Sequence, residues 1–263
     1  MRLRALVAKE FLDIARNRAV LVPVAIVTLV SLAVPFLVFL VMPALTGRSL
    51  GEDPAVAQIG ALLSPHGEIA GNIAVEAFLF QQFLLLFLMT PITGAMSLAS
   101  HAIIGEKQAR TLEPLLATPL STFELLVGKV LGALLPTLAI SFAGLALYLA
   151  GIFLFAHPGV FAAMMTARTV LLVVLVSPAA ALVSLQAAII VSSRVNDART
   201  AQQFGILIIL PLTIVFVAQF SGAMLITAPV LAVIGIGLLA VWVLLAVVSV
   251  ALFDRETILT RWR

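Results

Sequence analysis

The chain has 263 residues, 63% of them hydrophobic and 10% charged, with no cysteine; its mean hydropathy is +1.23. Soluble domains run near 45–50% apolar and about 25% charged, so a water-soluble fold of this length could not clothe its surface in polar groups. The bilayer is the solvent that fits, while a net charge of only +3 leaves no nucleic-acid footprint and the lack of cysteine excludes disulfides and thiolate metal sites.

Residues 1–18 read as a helix lying along the membrane surface. Leu3, Leu6, Val7, Phe11 and Ile14 recur at helical spacing, with Arg2, Lys9, Asp13 and Arg16 among them. An apolar stripe with a basic rim suits anionic headgroups. Such a helix either simply orients the first membrane span or also touches a cytoplasmic partner. The apolar run from Ala19 to Met42 is too long for the roughly 7–15-residue core of a secretory signal and reads as that span.

A crossing helix needs about 20 mostly apolar residues. Six segments are expected to form one, at about 19–43, 75–103, 129–155, 169–192, 203–220 and 229–253. The fifth is the shortest, and Ser221-Gly222 leaves open a broken or re-entrant continuation. Pro23, Pro35, Pro91, Pro136, Pro178 and Pro211 fall inside spans, where neighbouring helices can re-satisfy the backbone; they read as ordinary kinks or as hinges. Residues 44–74 form an outer loop, either a connector or a partly helical lid. The whole chain is expected to be one transmembrane domain.

Charge placement orients the spans. Arg2, Arg4, Lys9, Arg16 and Arg18 precede the first span, and Lys107, Arg110 and Lys129 lie between the second and third. Arg194 and Arg199 lie between the fourth and fifth, and Arg255, Arg261 and Arg263 follow the sixth. Six alternating helices put all of these on one side and only Arg48 and Arg168 on the other. The positive-inside rule then places both termini in the cytoplasm.

The interior holds no ionisable residue in the middle third of any span. An ion-coupled transporter generally uses such groups to bind or relay its ion. Gln81, Gln82, Thr90, Ser97 and Gln186 are the candidates to line a path, although they can equally bond helix to helix. No catalytic or metal-binding constellation is present: His66, His101 and His157 fall in or beside loops, and no H-E-x-x-H occurs. Gly128-Lys129 lacks the rest of a phosphate-binding loop, so no nucleotide cofactor belongs to this chain.

The most organised stretch is the cytoplasmic loop 105–128, GEKQARTLEPLLATPLSTFELLVG, with Lys129 at its end. Thr111-Leu112-Glu113-Pro114 opens a short helix, with proline tolerated in its first turn, and Pro119 ends it. Leu112, Leu115 and Leu116 form a stripe that has to bury itself against something. Ser121-Thr122-Phe123-Glu124 reads as a capping box for the third span. Gly128 and Gly132 make a small-xxx-small pair for close packing, within the chain or at a seam between chains.

These residues resemble the ABC-2-type permeases, membrane subunits of ATP-binding cassette transporters. The loop pattern of that family is matched by Glu106, Thr111-Leu112-Glu113, Leu115-Leu116, Thr118-Pro119, Glu124-Leu125 and Gly128-Lys129. Lys9-Glu10-Phe11 and Phe253-Asp254-Arg255 are similar to its two ends. One position departs: the family's glycine before Thr-Leu-Glu is Arg110 here, which bears on the turn at that point. The resemblance implies an all-α six-helix bundle of the type V exporter-like kind, with an N-terminal interfacial helix. It implies that the loop is a coupling helix docking on an ATPase subunit, with Glu106, Thr111, Leu112, Glu113, Leu115, Leu116 and Pro119 as transmission residues. ATP and magnesium would be bound by that partner, and a second permease chain, identical or homologous, would complete the unit. The implied setting is the cell membrane of a bacterium or archaeon. A stand-alone ion-coupled transporter or channel is the alternative, and a purely structural membrane scaffold the third.

Overall fold

The computed structural model describes residues 8–9, 11–13, 17–47, 71–110, 122–195, 197, 200, 203, 206–220 and 226–252. Every regular element among them is a helix. Helix α1 spans Arg18–Thr46 and runs through Pro23, Pro35 and Pro43. Helices α2, Gly71–Leu86, and α3, Met89–Gln108, occupy what the sequence presents as one span. Pro91 explains the break between them. It has no N–H to give the Phe87 carbonyl, which instead accepts from Thr90 N–H at 3.1 Å, while Leu88 N–H bonds to the Leu85 carbonyl at 3.1 Å.

Helix α4, Thr122–Phe155, passes through Pro136. Two short helices come next, α5 at Val160–Met164 and α6 at Ala167–Leu171. Thr166 caps α6, its hydroxyl accepting from Thr169 N–H. A π-helical turn, Leu172–Val176, then leads into α7, Ser177–Arg194. The turn is marked by Ser177 N–H bonding back to the Leu172 carbonyl, five residues away. Pro178 has no N–H for the Val174 carbonyl, and the wider turn absorbs that misfit. Helices α8, Ile206–Phe220, and α9, Ala228–Leu252, are the last two among the described residues.

Among the described residues, five stretches are long and apolar enough to cross a membrane: Leu21–Leu45, Ile73–Gln108, Glu124–Phe155, Ala167–Arg194 and Ala228–Val250. At the place of the expected fifth span the described helix is α8, Ile206–Phe220, with Gln203 before it also helical and residues 204–205 between them outside the described residues. Residues 48–70, the body of the outer loop, and 221–225, the place of the re-entrant alternative, lie outside the described residues. In the N-terminal segment the described residues Ala8, Lys9, Phe11, Leu12 and Asp13 are helical.

Helices α3 and α7 form the centre, and α7 also packs closely on α9. The buried cluster that both helices share includes small residues, Ala95 and Ala99 on α3 and Ala181 and Ala188 on α7, beside Leu98 and Leu185. In lipid, helices associate through such close backbone approach because tails are as apolar as leucine. Gly128 and Gly132 are likewise buried within the single chain. The periphery is apolar and open: Leu29 and Leu45 on α1, Phe153 and Leu154 on α4, and Val233 and Val247 on α9 are all exposed.

Candidate functional site

Both helices that flank the 105–128 loop run further than their apolar cores require. Helix α3 continues to Gln108 and α4 starts at Thr122. The extra turns bring together charges that the sequence places on opposite sides of the loop. Lys129 donates to Glu106 Oε2 at 2.6 Å and Lys9 donates to Glu106 Oε1 at 2.8 Å. Lys129 also points at the Ala102 carbonyl, 3.4 Å away. Its side chain is only 1% exposed, so it depends on the carboxylate: a buried ammonium is tolerated when paired and hydrogen-bonded. Lys9 is more open and lies 3.8 Å from Asp13 as well. The cluster thus joins two ammonium groups, one buried carboxylate and one exposed carboxylate.

The next residue anchors α3 in another direction. Lys107 Nζ donates to the carbonyls of Ser192 at 2.7 Å, Ser193 at 2.9 Å and Val195 at 3.0 Å. These sit at the end of α7, where the last carbonyls of a helix lack intrahelical partners. A cation there also complements the helix dipole, and all three ammonium donors are used. Glu106 and Lys107 are about 100° apart around α3, so one turn of helix grips the N-terminal segment, α4 and α7 together. Directly after it, Arg110 takes φ 54°, the left-handed conformation that closes a helix and favours glycine. The position where the permease pattern has glycine is thus the position where the backbone turns left-handed.

At the opposite end of the bundle, Glu76 accepts a hydrogen bond from His157 Nδ1, and its other oxygen accepts from the His157 backbone N–H at 3.2 Å. Three of the path candidates bond to other elements. Gln81 donates to the Thr166 hydroxyl and Gln82 accepts from Arg168, each at 3.4 Å, which ties the two adjacent glutamines to the short α6 region. Gln186 donates to the Ser249 hydroxyl at 2.6 Å, joining α7 to α9. Thr90 and Ser97 are buried on α3. These contacts tie elements of the bundle to one another.

Of the expected transmission residues, the structure places Glu106. Thr111, Leu112, Glu113, Leu115, Leu116 and Pro119 lie outside the described residues. Sequence reasoning did not pair Glu106 with Lys9 and Lys129, though a charge signal existed: an acid and a base each adjoining an apolar run need a counter-charge. Nothing in the sequence pointed Lys107 at α7. Among the described residues, no group of three or more His, Asp or Glu is placed to hold a metal ion.

A family model described as ABC-2 family transporter protein matches residues 4–231 of the chain. No curated protein matches it significantly.

Proposed function

This chain belongs to the ABC-2 family of transporter proteins, and from that premise we propose that it is the permease subunit of an ATP-driven exporter whose ATPase is a separate polypeptide. Two permease chains, identical or homologous, pair with two ATPase subunits that bind ATP and magnesium. Both termini face the cytoplasm, and six helices per chain cross the cell membrane.

The observation that supports this reading is the joint at the base of the 105–128 loop. Glu106 fastens α3 to α4 and to the N-terminal segment, and Lys107 fastens it to α7. A push on the loop at Thr111 to Pro119 therefore reaches four elements at once instead of bending α3 alone. ATP binding draws the ATPase subunits together and moves the docked loops. The clamped helices tilt as a unit, with the break at Phe87–Leu88 and the π-helical turn as the places that yield, and the inward–outward equilibrium shifts. The spans have uncharged centres, which suits an amphiphilic cargo better than a small ion.

The test is reconstitution with the cognate ATPase. Glu113→Lys and Leu116→Asp are expected to leave ATP hydrolysis in place and abolish transport. Normal transport by both variants would remove the loop from the mechanism. Uphill pumping driven by an ion gradient, in vesicles that hold this chain alone, would overturn the permease assignment.

A further inference from the structure

Between α3, α7, α8 and α9 lies a partly enclosed cavity of about 210 Å³, and every residue that lines it is apolar. Leu88, Val176, Ala180, Val215, Leu231 and Leu238 are among them. A dry apolar cavity of about 150 Å³ is already large enough to take up benzene, whereas water requires polar partners. This cavity therefore suits a hydrocarbon ligand and rejects water. Its walls run along the helices, from Val176 to Val183 and from Leu231 to Leu238, each about 10 Å of helical rise.

The helical register of α8 sets a polar residue one turn beyond the lining. Pro211 and Val215 line the cavity, and Gln219 continues the same four-residue spacing on α8, on the same face of the helix. Gln219 is fully buried, with neither amide atom partnered among the described residues. The wall on the α9 side belongs to a helix whose other residues, Val233 and Ile236, are exposed as lipid-facing residues would be. Bilayer lipid is the most concentrated hydrocarbon beside such a helix. We propose that this cavity is a site for one acyl chain of a bilayer lipid, with its ester region toward Gln219. The proposal does not depend on the transport reading, and its test measures no transport.

The full chain is placed in phosphatidylcholine nanodiscs containing, in separate samples, a phosphatidylcholine with a photoreactive diazirine midway along one acyl chain or a free fatty acid with the same group. Adducts are mapped by mass spectrometry after irradiation. The expected result is phosphatidylcholine labelling of Val176, Ala180, Leu231 and Leu238 well above that of the exposed residues Val233 and Ile236. Ala180→Phe should lower the cavity adducts about tenfold by filling the space, with Val233 and Ile236 labelled as before. Cavity labelling no richer than at Val233 and Ile236 would overturn the proposal in the wild-type chain, without recourse to any variant. Labelling by the fatty acid alone would overturn the assignment to bilayer lipid.

Discussion

Lys129 Nζ lies 2.6 Å from Glu106 Oε2, while the other oxygen of the same carboxylate is held by Lys9 at 2.8 Å. The two lysines are unequal partners, because Lys129 is almost wholly enclosed and Lys9 is nearly half exposed. Glu106→Gln strips the enclosed ammonium of its counter-charge, and removing one member of a buried pair costs about 3–5 kcal/mol. Lys129→Met should cost less, since Lys9 continues to neutralise Glu106. The double variant Glu106→Gln/Lys129→Met should recover most of the loss, as apolar replacement of a whole buried pair is often close to neutral. Thermal unfolding of the detergent-solubilised proteins reads this cycle. A double variant no more stable than Glu106→Gln would show that the pair does not hold these helices together.

Lys107 makes a different kind of contact, with carbonyls in place of a carboxylate. Lys107→Met leaves the end of α7 without its cap, and a partly buried cation at a helix C-terminus is worth up to about 2 kcal/mol. Loss of about 2 kcal/mol is expected, confined to the junction of α3 with α7. Lys107→Arg keeps the charge at the helix end but not the compact three-way geometry, and should fall between the two. Hydrogen exchange is the discriminating readout: amides in the last turn of α7, up to Val195, should exchange faster in Lys107→Met than in the wild-type chain. Unchanged protection there would remove Lys107 as the cap.

Much of the bundle was legible because hydropathy alone marks where a helix can lie in lipid. The expected spans 19–43, 129–155 and 229–253 coincide with α1, α4 and α9 to within a few residues at most of their ends. Helix α4 starts at Thr122, where the capping-box reading of Ser121–Glu124 expects it, and α3 runs on to Gln108, past the apolar limit of the second span. Glu106, Lys107 and Lys129 read as polar limits of apolar runs, yet each has a partner, so the helices continue through them. Those partners are 97, 23 or 85 residues away in the chain, and no periodicity encodes such a pairing. Pro91 and Pro178 were visible as kink sites, but not that one would split a span and the other sit behind a π-helical turn. The adjacency of Gln81 and Gln82 required at least one to face inward; that both reach the α6 region became visible only with Thr166 and Arg168 folded back beside them.

Arg110 is the one non-glycine residue with positive φ among the described residues, at 54°, and its N–H bonds to the Lys107 carbonyl at 3.1 Å. Its side chain is exposed, so the strain belongs to the backbone. An L-residue in this conformation costs roughly 1–2 kcal/mol, which explains glycine as the usual occupant in the pattern this loop resembles. Arg110→Gly should relieve that strain but lose about 0.4–1 kcal/mol through the looser unfolded chain. A small net gain is therefore expected, roughly 0.5–1 kcal/mol. Arg110→Val should move the other way by at least about 1 kcal/mol, because a β-branched residue is a true outlier at positive φ. Unfolding temperatures of the three proteins, measured side by side, check both signs. If glycine and valine shifted stability equally, the left-handed turn that ends α3 would not exist in the folded chain, and the loop beyond it would leave the joint in another direction.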